Sequence, residues 1–219
     1  MPVLETVKNI ILIVSALFPI VDPLGGSPIF LSLTRDYPAS SRRVLSRQIA
    51  FNSFFLMVGS YLIGTHILTF FGISLPAVQI GGGLIVIATG WAMLKKKDEE
   101  ERTSVHRSTH QQDILHQAFY PLTLPLTVGP GSISVAITLG ANASHSGFNI
   151  LAILAAIIGS ALIALSIFLC YGFADRLARM LGATGTTVIV RLTSFLLVCI
   201  GVQIVWNGVS AFLATILRR

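Results

Sequence analysis

The chain has 219 residues, of which 53% are apolar and only 11% charged, with a mean hydropathy of +0.81. Soluble domains carry about 25% charged residues, so this composition excludes an ordinary soluble domain and points to an integral membrane protein. The formal net charge of +6 suggests nucleic-acid binding only until the basic residues are located, because they fall in the connections between apolar runs.

Six stretches approach the roughly 20 apolar residues that a spanning helix needs: 9–33, 46–71, 75–94, 118–140, 148–173 and 188–216. With the N-terminus on one side, the opposite side receives Arg35, Arg42, Arg43, Arg47, Lys95, Lys96, Lys97, Arg102, Arg107, Arg176 and Arg179. The N-terminal side holds only Lys8, Arg218 and Arg219. The positive-inside bias therefore predicts both termini outside and the basic loops in the cytoplasm. A cleaved signal peptide is rejected, because no A-x-A-like site follows the first apolar run.

Span one starts as an ordinary helix, Ile10 to Phe18, and then meets Pro19-Ile-Val-Asp22-Pro23-Leu24-Gly25-Gly26-Ser27-Pro28. Span four carries Pro121-Leu-Thr-Leu-Pro125-Leu126-Thr127-Val-Gly129-Pro130. Both fit P-x-x-x-P-L-x-x-x-P without a gap, at an offset of 102 residues. Proline removes a backbone donor and clashes with the preceding turn, so both stretches are expected to break their helices. The prolines assigned to the breaks are Pro19, Pro28, Pro121 and Pro125. Ser27-Pro28 reads as the first restart, with Ser as cap and Pro at the first helical position. Gly129-Pro130 reads as the second.

Span two holds Gly59-Ser60-x-Leu62-Ile63 and span five Gly159-Ser160-x-Leu162-Ile163, at an offset of 100 residues. Two echoes at nearly one offset predict a 3+3 organisation. Residues 1–94 form one three-helix repeat, 95–117 a charged cytoplasmic linker, and 118–219 the second repeat. An odd number of crossings per unit makes the repeat inverted, as in many secondary transporters. The fold class expected is an all-α membrane protein of six spans, with helices 1 and 4 broken near the bilayer midplane.

Helix breaks survive in hydrocarbon only where protein, water or a polar ligand satisfies the freed backbone. A restarting helix offers N–H groups and partial positive charge, and a stopping helix offers carbonyls. The expected binding site is therefore Asp22, Pro23, Gly25, Gly26 and Ser27 facing Thr127, Gly129, Pro130, Gly131 and Ser132. Such a site suits a small zwitterion. Asp22 is the one acidic residue deep inside a span, so it is read as a partner for the substrate ammonium or as the carrier of a coupling proton. The alternative reading is that it only caps the broken backbone. Its counterpart in the second phrase is Leu124, so the halves are unequal there.

Other features receive packing or solvent roles. Gly81-Gly82-Gly83 and the ladder Ala152, Ala156, Ser160, Ala164 read as packing surfaces. Cys170 and Cys199 read as small fillers, and His66 as an interior hydrogen-bonding residue. Arg191 is expected to snorkel, with a partner carboxylate as the alternative. The Arg35–Arg47 stretch is given no chemistry. His106, His110, Asp113 and His116 could share a helical face in the linker, but no complete metal ligand set results. No cofactor is expected. No H-E-x-x-H, no G-x-S-x-G and no second intramembrane acid supports an enzyme.

The stretch P-x-x-x-D-P-L-G-G-x-P-I-F ending at Phe30 and P-L-T-L-P-L-T-V-G-P-G-S-I ending at Ile133 resemble the MarC family, also called the neutral amino acid transporter family. Phe71-Gly72-Ile73-Ser74 and Gly201-Val202-Gln203 extend the resemblance over essentially the whole chain. It implies a bacterial inner-membrane protein that transports small neutral amino acids such as glycine and alanine, coupled to the proton gradient. Proteins of this kind often carry Asn where this chain has Asp22. The expected function is a proton-coupled secondary transporter working by alternating access, with membrane lipid around it and homo-oligomers possible. Export of another small metabolite, a membrane enzyme and a channel are the alternatives.

Overall fold

The computed structural model describes residues 2–34, 37–95, 117–144 and 150–217, and no strand occurs among them. The elements are α1 (Pro2–Val21), α2 (Pro23–Leu33), α3 (Ala39–Phe70), α4 (Leu75–Lys95), α5 (Ala118–Thr127), α6 (Pro130–Ser144), α7 (Ile150–Gly172) and α8 (Ala174–Leu217). Five helical paths are long and apolar enough to cross a membrane, with α1 and α2 counted as one path. The bent pair of α5 and α6 makes a sixth if it is one span.

The first interruption is a single residue. Asp22 adopts a left-handed conformation (φ 43°, ψ 63°), which Asp and Asn tolerate better than most side chains. Its N–H still bonds the Phe18 carbonyl at 2.9 Å, and its own carbonyl receives the Gly26 N–H at 2.9 Å. One helix therefore ends and the next begins on the same residue. This corrects the restart expected at Ser27-Pro28. The first helix runs through Pro19, Pro23 occupies the favoured first position of α2, and Pro28 lies inside α2. Ser27 is no cap; its hydroxyl donates to the Cys170 carbonyl at 3.1 Å.

The second interruption is built differently. In α5 the tetrapeptides Tyr120-Pro-Leu-Thr123 and Leu124-Pro-Leu-Thr127 repeat one device. Tyr120 and Leu124 are extended, as residues before proline prefer, and both following peptide bonds are cis. Two residues after each proline, a threonine hydroxyl donates to the carbonyl five residues back: Thr123 to Ala118 at 2.6 Å and Thr127 to Leu122 at 2.7 Å. Each threonine hydroxyl thus ties the distorted turn around its proline to the carbonyl five residues back. After Val128 the path bends by 70° into α6, which starts at Pro130 as expected.

Packing across the halves is close wherever small residues meet. Helix α4 lies antiparallel to α8, and a Cβ added at Gly83 would lie 2.8 Å from the Gly201 carbonyl. One at Gly90 would lie 2.8 Å from the Ser194 carbonyl, and one at Gly208 would lie 2.8 Å from the Pro76 carbonyl. The triple glycine therefore serves packing as expected: Gly82 fits against Ser134 of α6 and Gly83 against α8, while Gly81 faces open space. On α7, Ala152, Ala156 and Ser160 are buried, and the helix packs against α1 and α3.

At the end of the molecule away from the termini, Arg42 ties several elements together. It pairs with Asp175 at 2.6 Å and donates to the Tyr37 carbonyl at 3.1 Å, while Tyr37 donates to the Gln117 side chain at 2.7 Å. The basic stretch read as having no chemistry is thus partly helical and structural, since α3 already begins at Ala39. A long helix from Ala174 to Leu217 changes direction at Gly182, where φ is 64°. His66 is exposed on the outer face of α3, so the interior hydrogen bond expected of it does not form. Arg191 is exposed on α8.

Candidate functional site

A cavity of about 720 Å³ lies between the two interruptions, within the 300–1,000 Å³ or so typical of small-molecule pockets. The turn from α1 to α2 supplies Asp22 and Gly26, and the bend from α5 to α6 supplies Pro125, Thr127, Gly129, Pro130, Gly131 and Ser132. Val86 and Met93 of α4 and Leu197 of α8 close the sides. Of the residues the sequence singled out, Pro23, Gly25 and Ser27 stand outside this lining, as do Pro19, Pro28 and Pro121.

Asp22 is 9% exposed and its two carboxylate oxygens have different roles. Oδ1 accepts the Gly25 N–H at 2.9 Å and so caps α2. Oδ2 is buried with no hydrogen-bond partner. The Thr193 hydroxyl of α8 sits beside it, but that hydroxyl turns back to the carbonyls of Ile189 and Val190, at 2.9 and 3.1 Å. Gly25 is required by this arrangement, because a Cβ there would collide with Oδ2 and with the Thr193 hydroxyl.

On the facing wall, α6 begins with Pro130, which has no N–H, and the Ile133 N–H is already bonded to the Gly129 carbonyl at 3.2 Å. The N–H groups of Gly131 and Ser132 therefore have no partner within the helix, and they sit at its partially positive end. The cavity thus has the Asp22 carboxylate at one wall, its unpartnered oxygen buried toward Gly25 and Thr193, and a helix N-terminus at the other.

Tyr171 and Thr193 escaped the sequence reading. Tyr171 is fully buried, stacks on Phe30 with ring centroids 4.8 Å apart, and its hydroxyl lies 3.1 Å from that of Thr127. Since the Thr127 hydroxyl proton goes to Leu122, Tyr171 is the donor in this pair. It links α7 to α5 beneath the cavity and packs against Gly26. Neither residue carries a local motif. Among the described residues no cluster of three His, Cys, Asp or Glu could hold a metal ion. The His106, His110, Asp113 and His116 grouping lies outside the described residues.

The profile of the MarC family, integral membrane proteins, matches residues 7–213. The chain belongs to the MarC family. A UPF0056 membrane protein of Methanocaldococcus jannaschii is 31% identical over 205 residues, covering 93% of this chain and 97% of its own length. The UPF0056 membrane protein YvbG of Bacillus subtilis is 30% identical over 197 residues, with 89% and 91% covered. The UPF0056 inner membrane protein MarC of Salmonella typhimurium is 34% identical over 206 residues, with 91% and 93% covered. No solved structure matches the chain.

Proposed function

We propose that the chain is a secondary transporter of small neutral amino acids such as glycine and alanine, coupled to protons. The observation that carries this reading is the Asp22 carboxylate, which lines the cavity opposite the start of α6 and keeps one buried oxygen without a partner. The substrate ammonium would meet the Asp22 carboxylate, and its own carboxylate the Gly131 and Ser132 N–H groups. Helix interruptions at membrane depth are tolerated where they line such a cavity.

Asp22 also carries the coupling proton in this reading. Protonated, it would donate from Oδ2 to Thr193, whose oxygen is free to accept because its own proton is committed to α8. Ammonium and proton would then compete for one carboxylate, which is a direct means of coupling.

The transport cycle is alternating access between two inverted three-span repeats, with spans one and four broken near the bilayer midplane. The pairing of α4 with α8 and of α3 with α7 supports that organisation. The membrane is the inner one, as the names of the Salmonella relatives state for those proteins. Charge bias supports both termini outside.

The test is counterflow of radiolabelled glycine or alanine in proteoliposomes, for wild type and Asp22→Asn, with and without a pH gradient. Saturable exchange in both, with loss of the gradient response in Asp22→Asn, is expected. An identical gradient response in the two would remove Asp22 from coupling. No exchange of any neutral amino acid by wild type would overturn the reading.

A further inference from the structure

A second cavity of about 280 Å³ lies on the other side of the α1–α2 turn, with room for about nine waters at roughly 30 Å³ each. It is bounded by Ser15, Pro19 and Ile20 of α1, Gln79 of α4, and Gln203 and Asn207 of α8. Among the described residues, Ile20 is the side chain that lines both cavities. Each of α1, α4, α6 and α8 contributes to both, and along each helix the two contributions are displaced axially. In α4 the step from Gln79 to Val86 is seven residues, about 10 Å of helix. The cavities are therefore stacked end to end along one path, with Ile20 between them.

The chemistry of the second cavity is that of a neutral polar site. Gln203 donates to Asn207 at 2.9 Å, which uses one position on each amide and leaves further donors and acceptors on both. The Gln79 amide makes no hydrogen bond among the described residues. Two backbone acceptors join them. Pro19 has no N–H to give the Ser15 carbonyl, and Pro23 has none to give the Pro19 carbonyl. These residues are one helical turn apart, and both line the cavity. Amides and carbonyls freed in this way are costly against lipid and inexpensive against water or a polar solute.

We propose that this cavity is a second subsite for the same zwitterion, opening toward the side of the membrane that holds the termini, with Ile20 as the partition between the subsites. The carbonyls of Ser15 and Pro19 take the ammonium, and the amide donors of Gln79, Gln203 and Asn207 take the carboxylate. Lacking a charged group, this subsite binds more weakly than the one at Asp22 and stages the substrate. The proposal rests on the transporter reading above.

Cysteine accessibility in proteoliposomes tests it. In a background with Cys170→Ala and Cys199→Ala, Asn207→Cys reports the second cavity and Thr89→Cys, at a position of α4 that lines the larger cavity, reports the first, using a membrane-impermeant thiol reagent from either side. Gln79→Cys replaces Asn207→Cys if that variant does not accumulate. The expected result is labelling of Asn207→Cys only from the side of the termini and of Thr89→Cys only from the opposite side. Glycine should slow labelling at least about threefold at both, and Ile20→Ala should open both reporters to both sides. An unreactive second-cavity reporter, labelling of it from the linker side, or unchanged sidedness with Ile20→Ala would overturn the proposal. Protection by glycine at Thr89→Cys but not in the second cavity overturns the second subsite alone. Absence of protection at both, together with absence of counterflow, overturns the transporter reading as well.

Discussion

Position 22 must satisfy two backbone demands at once. It takes a left-handed conformation between two helices, and its side chain caps the second. Asp and Asn meet both demands, so capping alone gives no reason for a negative charge. The unpartnered Oδ2 is what the cap leaves over, and the substrate and proton roles proposed for Asp22 would account for the charge. Thermal unfolding in detergent should separate the two roles. Asp22→Asn is expected to unfold close to wild type, whereas Asp22→Ala should lose about 0.5–2 kcal/mol with the cap. Equal stability of the two variants would show that the cap contributes nothing. Gly26→Ala and Gly131→Ala are poorer probes of binding, because the added methyl would press on Tyr171 and on Val86. Their effects on flux would mix packing with ligand contact.

Among the elements, α5 carries two prolines inside an apolar helical path. There, threonine hydroxyls donate to the carbonyls of Ala118 and Leu122. Thr127→Val keeps the shape but removes the donor to Leu122 and the acceptor for Tyr171. It should destabilise the protein by about 1–3 kcal/mol for each buried group left unsatisfied, and Tyr171→Phe in the same background should recover part of the loss. No recovery would argue against the pairing of those two hydroxyls. The contact between α4 and α8 makes a different demand. Gly83→Ala and Gly201→Ala place a methyl within 2.8 Å of the opposing backbone carbonyl, so each should lower the unfolding temperature. Gly81→Ala, with nothing within 4 Å, should match wild type or exceed it, since Ala is the better helix former. Equal behaviour of the three variants would refute the seam.

For the whole molecule, the elements that line the cavities come from both halves of the chain, and the Arg42 cluster joins those halves at the end away from the termini. Its parts are unequal. Asp175 is 44% exposed, so its ion pair should be worth at most about 1 kcal/mol, and Asp175→Asn should be nearly neutral. Arg42 is far less exposed and also serves the Tyr37 carbonyl, so Arg42→Ala should destabilise more than Asp175→Asn. The reverse order in a thermal unfolding series would show that the ion pair, and not the carbonyl contact, holds this corner.

The sequence by itself determined the membrane setting, the spans, the two proline phrases as the places where helices fail, and Asp22 as the charge to be explained. These are consequences of composition and of local chemistry: hydropathy over about 20 residues, a missing N–H, a carboxylate in an apolar run. The sequence could not tell which residue makes the turn, because Ser27-Pro28 and Asp22-Pro23 are equally good local starts for a helix. Tertiary packing chose Asp22. In the folded chain Ser27 is held by the Cys170 carbonyl, and Gly25 and Gly26 lie against Thr193 and Tyr171. Tyr171 and Thr193 themselves come from distant helices and carry no local signal. The second cavity is likewise a property of four helices at once, and only their packing brings Gln79, Gln203 and Asn207 to the carbonyls that two prolines leave free.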